Sequence, residues 1–479
     1  MELEVSSNNK PRVAFLPCPG MGHMIPHFEF AKLLVKNHNI LVSFLVITTD
    51  ASAAQNQFFE SPNIPQGIRI VNIPPADMSN IIDENTLVLS RICLTVQESL
   101  KPLRSILAEV NPKVLIIDLF TSEAIDLAKQ LSISVYTFTT ASAGFLAFSL
   151  YLPTLDREVE EEFVDLPHPI NVPGCRPERI EDLLDQVRNR KIDEYKWFLF
   201  HMDRLRLADG IFENSWEDLE PLALKAVREH AFFKSIQTPP VYPIGPLIKP
   251  DEFIAEKDAK IIAWLDNQPP DSVLFVVFGS GGTLTSEQLT ELAWGLEMSE
   301  QRFILVARKP SDASASAAYF NVGNDQNDDP SVYLPEGFVE RTKRVGIIVS
   351  SWAPQAAILG HGSTGAFLSH CGWNSCLESL SHGVPILAWP LYAEQKMNAT
   401  QLEDGVDVAV KPVVQKGEKK VIGREEIERV VRLIMEGEEG MVLRSRAKQL
   451  KLSAEKALSY GGSSYNSVCR VVDIWKSLI

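Results

Sequence analysis

The stretch that decides the fold runs from Trp352 to Gln395 and reads WAPQAAILGHGSTGAFLSHCGWNSCLESLSHGVPILAWPLYAEQ. Its apolar run Thr364 to Leu368 leads to His370, and the polar turn Cys371–Gly372–Trp373–Asn374–Ser375 opens a short helix. Gly383 and Pro385 close that helix, because glycine accepts the left-handed position after a helix end and proline cannot continue one. The unit is strand, turn, helix, strand. Its helix start presents unpaired N–H groups and a partial positive charge, a place for an anion. Ser375-x-x-Glu378 also reads as a capping box, which would occupy the same hydroxyl and carboxylate.

Outward from this unit the same grammar repeats. Before it stand the apolar strands Val273 to Phe278, Phe303 to Ala307 and Gly346 to Ser350. The first ends in the loop Gly279-Ser280-Gly281-Gly282, and a Ser, Ala, Asn and Asp rich loop fills Pro310 to Tyr333. After it come helices near Lys396 to Leu402, Arg424 to Met435, Met441 to Leu458 and Ser464 to Leu478. The first half has strands at Arg12 to Pro17, Ile40 to Ile47, Ile68 to Ile73, Val114 to Ile117 and Val135 to Phe138, with further candidates at Gly210 to Asn214 and Val241 to Ile244. Helices are expected from about Pro26, over Leu87 to Val110 and over Ser122 to Leu131. Residues 151 to 205 read as a less regular cover. Buried strands alternating with amphipathic helices give α/β parallel sheets covered on both faces. With 479 residues the chain exceeds one ordinary core. The expected division is 1–248, a Pro-rich linker at 249–256, 257–460, and a last helix at 461–479 that packs back on the first domain.

A hydrophobic content of 45% and a charged content of 23% are those of a folded globular chain. The net charge of −16 speaks against nucleic acid or an anionic membrane as partner, since both need a positive field. Cysteines 18, 93, 175, 371, 376 and 469 have no paired spacing, and read as reduced thiols in a cytosolic chain. The start MELEVSSNNK has no signal-peptide character, and no apolar run approaches the roughly 20 residues of a membrane span. A cytoplasmic monomer is the expectation.

Open parallel sheets bind ligands beyond the carboxyl ends of their strands. His23, Asp118 and the Ser280 loop all stand there. A neutral imidazole takes a proton near pH 7, so His23 is the candidate general base. Asp118 could orient its ring, or simply cap the helix near Ser122. Gly20-Met-Gly22, with Asp50 at the end of the second strand, invites a dinucleotide reading, but Ile25 stands where the third glycine belongs. Ser280 with Gly281 and Gly282 brings bare backbone and a hydroxyl to an anion, or forms only a tight turn. No Asp-x-Asp occurs, and Cys371, Cys376 and His382 have no metal spacing; no metal is expected.

The stretch Trp352 to Gln395 closely resembles the signature box of plant secondary-product glycosyltransferases, the family 1 UDP-sugar-dependent enzymes, along its whole length. WAPQ, HCGWNS and WPLYAEQ carry the match, and PGMGH, Asp118 and the Phe-Gly-Ser loop at 278–280 extend it. PCPGMGHMIPHFEFAK, PEGFVERTK and AEQKMNA look most like the subgroup that glucosylates hydroquinone and monolignols. The resemblance implies a GT-B fold, with two Rossmann-like domains facing across a cleft. It implies that Trp352 stacks on uracil and that Ala353 and Gln355 bond the base or ribose. Glu378 would hold the ribose hydroxyls. His370, Asn374, Ser375 and Ser280 would surround the diphosphate, with Gly372 and Trp373 shaping the turn. Glu394, Gln395 and, from the first domain, Thr140 would meet the sugar, and Tyr392 belongs to the same donor-binding set. In relatives a closing Gln accompanies glucose, so UDP-glucose is the implied co-substrate, and no cofactor is called for.

The implied reaction is inverting transfer of glucose to a hydroxyl deprotonated by His23, giving a β-glucoside of a small phenolic aglycone. Phe120, Phe145, Phe148, Trp197 and Phe200 are candidates for the acceptor wall, each equally readable as ordinary core. Membrane-bound animal glucuronosyltransferases share the fold but end in a spanning helix, which is not expected here. Two competing readings are the same catalyst acting on nitrogen, sulfur, carbon or a terpenoid alcohol, and a sugar-nucleotide-binding protein without catalysis; His23 and Asp118 speak against the second.

Overall fold

Valine, isoleucine, leucine and phenylalanine runs too short for helices become central strands, buried on both faces. In the computed structural model they form two sheets. The first holds β1 (Arg12–Leu16), β2 (Leu41–Ile47), β3 (Ile68–Ile73), β4 (Val114–Asp118), β5 (Ser134–Thr139), β6 (Gly210–Glu213) and β7 (Val241–Pro243). The second holds β8 (Val273–Val277), β9 (Arg302–Ala307), β10 (Gly346–Ser350), β11 (Thr364–Ser369), β12 (Ile386–Ala388) and β13 (Ala409–Val410). The structure describes residues 11–60, 64–249, 258–316, 319–320, 329–350, 352–413 and 421–477. Apart from Lys249, the linker read at 249–256 lies outside them, as does much of the loop read from 310 to 333.

Both sheets are parallel and share one order. The first runs β3-β2-β1-β4-β5-β6-β7 and the second β10-β9-β8-β11-β12-β13. Each chain path starts in the middle, goes outward one way, then returns to the other side. The resulting switch points lie between β1 and β4 and between β8 and β11, where diverging loops leave a crevice. β1 pairs β4 from Val13↔Val114 to Leu16↔Ile117, and β8 pairs β11 up to Val277↔Ser369.

Several expected boundaries move. The first helix begins at Met21, inside the PGMGH turn, and Pro26 stands within it; Gly20 makes this early start possible at φ 121°. The helix expected over Leu87 to Val110 is two, Val88–Ser99 and Leu103–Val110, because Pro102 cannot lie in a helix interior. The cover at 151–205 contains the end of the helix Ala143–Glu158 and the whole helix Asp193–Arg204. β13 and the helix Ala53–Phe59 were not expected; both are too short to show a period.

The last helix, Ser463–Lys476, packs on the first sheet. Val468, Val471, Val472 and Trp475 join the cluster formed by Phe15, Tyr136 and Phe212. Among the described residues no helix is long and apolar enough to cross a membrane.

Candidate active site

His23 lies in the first turn after β1, and Asp118 is the last residue of β4, so the first switch point brings them together. His23 Nδ1–H donates to Asp118 Oδ2 at 2.8 Å, and Thr140 Oγ1 is 3.3 Å from the same nitrogen. Asp118 is fully buried and the His23 side chain is 20% exposed, which leaves Nε2 as the nitrogen able to take a proton from outside. Burial alone would lower the imidazole pKa; the Asp118 charge and hydrogen bond, with the Glu394 charge, raise it above its ordinary value. Burial would raise the Asp118 pKa, but His23, His27 and the Phe120 N–H hold it at about 2. Asp118 faces two ways, and the helix expected near Ser122, which begins at Ala124, is not what it caps. Oδ1 accepts from Phe120 N–H at 2.9 Å and caps the short turn Leu119–Thr121, while Oδ2 orients the ring. Cys18 completes a group with His23 and Asp118 whose ligand-capable atoms lie within 4.8 Å of one another.

The second switch point holds the helix start read from the sequence as a place for an anion. The helix Trp373–His382 starts after Gly372 with no side-chain cap, so its first N–H groups stay available. Ser375 is therefore inside the first turn, and the capping box does not form. Gln355 Nε2 instead donates to Ser375 Oγ at 3.1 Å and to the Glu378 carboxylate, joining three expected ligand residues into one network. His370 packs against Gly279 and Gly372, where an added Cβ would come within 2.3 and 2.5 Å of its ring. Burial, aided by the Arg308 charge, lowers its pKa to about 4, so the ring is neutral at pH 7. Its Nδ1 is buried without a partner. Arg308, just past β9, lines the same cavity as Ser280 and His370. The sequence reading missed it, although it obeys the strand-end rule applied to the others.

A cavity of about 830 Å³ joins the two switch points. Its wall includes His23, Thr140, Ser280, Trp352, Ala353, Gln355, His370, Gly372, Trp373, Asn374, Ser375, Glu378, Tyr392, Glu394 and Gln395. Asp118 stands behind His23. Gln395 keeps its own turn in place, since its Oε1 accepts from the Leu391 and Tyr392 N–H groups at 2.9 and 3.0 Å. Its side chain also bonds the Tyr392 phenol. Asn374 Nδ2 donates to Gly22 O at 2.6 Å. That carbonyl is open because its partner in a regular helix would be the N–H that Pro26 lacks.

Of the apolar candidates, Phe120 and Phe145 line the cavity and Phe148, Trp197 and Phe200 do not. Phe148 lies one turn beyond Phe145, about 4.5 Å further along its helix, and is wholly buried. On the helix Asp193–Arg204, Trp197 stacks with His201 and Phe200 is 40% exposed. Phe198, on a different face, lines the cavity in their place, together with Leu89, Ile92 and Phe320. Side-chain direction on a helix turns by about 100° per residue, which aromatic content alone does not show.

A family model described as UDP-glucoronosyl and UDP-glucosyl transferase matches residues 262–417. Over 475 residues the chain is 47% identical to hydroquinone glucosyltransferase of Rauvolfia serpentina, covering 98% of this chain and 98% of that protein. The chain belongs to the plant family 1 UDP-glycosyltransferases. This UDP-glycosyltransferase matches the crystal structure of TcCGT1 in complex with UDP with a TM-score of 0.91 and 44% identity, over 98% of this chain and 100% of that one. It matches Phytolacca americana UGT2, complexed with UDP-2fluoro-glucose and pterostilbene, with a TM-score of 0.87 and 40% identity over 97% and 99%. The fold is GT-B, and the transferred group comes from a UDP-sugar.

Proposed function

We propose that this UDP-glycosyltransferase is an inverting O-glucosyltransferase that moves glucose from UDP-glucose to the hydroxyl of a small phenolic aglycone. The observation that carries the reading is the His23–Asp118 pair standing in one cavity with the uncapped helix start, His370 and Glu394. Trp352, nearly half exposed on the cavity wall, stacks on uracil, Ala353 and Gln355 bond the base or ribose, and Glu378 takes the ribose hydroxyls. Ser280, Asn374, Ser375, His370 and the first N–H groups of the helix, with Arg308 nearby, receive the diphosphate. Glu394, Gln395, Tyr392 and Thr140 meet the glucose.

His23 Nε2 removes the acceptor proton as the oxygen attacks the anomeric carbon from the face opposite UDP. The ring then carries a positive charge, which the buried Asp118 carboxylate stabilises. Negative charge leaving with UDP falls on donors already aimed at it, which lowers the barrier without reorganisation. This charge balance asks for no metal. Phe120, Phe145 and Phe198 give the acceptor an apolar wall suited to an aromatic ring, and the relative named for hydroquinone supports a phenol. Free cysteines support a cytosolic setting.

Incubation with UDP-glucose and a phenol panel should release UDP and give a β-glucoside whose linked atom, by NMR, is oxygen. An α-linkage, or attachment at carbon or nitrogen, would contradict the reading. Glu378→Ala should weaken UDP-glucose binding about tenfold or more, as loss of a charged hydrogen-bond partner does; unchanged affinity in calorimetry would remove Glu378 from the ribose site.

A further inference from the structure

The turn that presents Glu394 and Gln395 is not self-sufficient. Ala393, just before them, has φ 54°, a left-handed conformation that a residue with a Cβ keeps only where its surroundings hold it. Its N–H donates to Asp185 Oδ2 at 2.9 Å, across 208 residues of sequence. Asp185 belongs to the cover of the first sheet, whereas Ala393 follows β12 of the second. The same cover segment touches the second half again nearby. Asp182 accepts from Thr400 Oγ1 at 2.8 Å, and Arg179 and Arg176 reach the Asp404 carboxylate and carbonyl. Residues 176–185 thus form a strap along 393–404. Its exposed ion pair adds little by itself, but the Asp185 end lies in the cavity wall beside Ala393, Glu394 and Gln395.

We propose that Asp185 is a positioning residue for the donor sugar: its carboxylate fixes the left-handed turn at Ala393, sets where Glu394 and Gln395 stand, and so ties sugar recognition to the strap. This rests on the reading of Glu394 and Gln395 as sugar contacts given above. The uracil, ribose and diphosphate groups are placed by other elements, so the effect belongs to the sugar alone. The charge of Asp185 also acts on its neighbour. Burial raises the Glu394 pKa, and Asp185 adds to that rise while His23 opposes it.

The test is calorimetry with UDP and with UDP-glucose, together with KM and kcat, on the full-length wild type, Asp185→Ala and Asp185→Asn. Asp185→Ala should raise the KM for UDP-glucose about tenfold while UDP affinity stays within about twofold, the size of one charge-assisted hydrogen bond confined to the sugar. Asp185→Asn, whose Oδ1 can still accept from Ala393, should stay within about threefold of wild type, as a neutral hydrogen bond replaces a charged one. The retained UDP affinity doubles as the check that each variant is folded. An unchanged KM in Asp185→Ala, a UDP affinity that falls in step with KM, or an Asn variant as impaired as the Ala variant would each overturn the proposal. A wild type that binds neither ligand would overturn the donor reading and the proposal with it, and this result appears before any variant is compared.

Discussion

His23 and Asp118 are 95 positions apart in sequence and meet because β1 and β4 are neighbours at the switch point. The pKa shifts set the expected pH dependence. The base form of His23 is the neutral one, and its pKa is raised, so kcat/KM should fall as pH drops through a value above that of an ordinary histidine. Asp118→Asn removes the group that raises it, and the acidic limb should move to lower pH. The same change should cost about 10²- to 10⁴-fold in rate, the range of general base catalysis. A pH–rate profile of both proteins checks this; an unmoved limb would separate the limb from His23. At this scale the sequence was informative about residue type and strand-end position. Arg308 was open to the same strand-end rule and was missed; Phe198 and the Gln355–Ser375–Glu378 network were not legible, because each depends on which way a side chain points across a gap between elements.

Among elements, the loop after β8 and the turn after β11 carry the tightest constraint. Gly279 has φ 70°, and a Cβ there would stand 2.3 Å from His370 Nε2. Gly279→Ala should therefore lower stability by about 1–3 kcal/mol through backbone strain and displace His370, weakening UDP binding. Thermal unfolding and calorimetry would show both; a neutral result in both would mean that the loop relaxes freely. The strand–turn–helix–strand unit read from Trp352 to Gln395 is present as β11, the helix Trp373–His382 and β12. The misplaced boundaries fall where one local rule was outweighed by another. Pro26 looked like a helix start, yet Gly20 opened the helix earlier, and the carbonyl that Pro26 leaves open was taken by Asn374. The capping box had the right spacing, but the chain entered the helix at Gly372, and Ser375 was carried past the cap position.

For the whole molecule, the two sheets repeat one strand order without a visible sequence repeat, because buried strands ask only for apolar bulk. Strand runs and their alternation with helices thus made the fold class legible. Apart from the last helix, the contacts that hold the halves together were not, since they involve single residues on different elements. Trp373 Nε1 donates to Asn214 O at 2.8 Å, and Trp216 Nε1 donates to Ser453 Oγ at 3.0 Å. The last helix is a further bond between the halves. Trp475 is 1% exposed and lies edge-on to Tyr136 and Phe212, with ring centroids 5.4 and 5.9 Å away. Trp475→Ala should cost about 3–5 kcal/mol, as large-to-small changes in a packed core do. Denaturant unfolding checks the value; a cost below about 1 kcal/mol would mean that the helix is not integral to the first core.

The central claim is that one cavity unites a donor site on the second sheet with a base on the first. It is tested most directly by the rate of UDP release from UDP-glucose by wild type and His23→Ala, using an acceptor alcohol too weakly acidic to ionise unaided. The expected result is a loss of about 10²-fold or more with UDP-glucose affinity within about twofold of wild type, since His23 would act on the acceptor. Full activity in His23→Ala at unchanged donor affinity would contradict it.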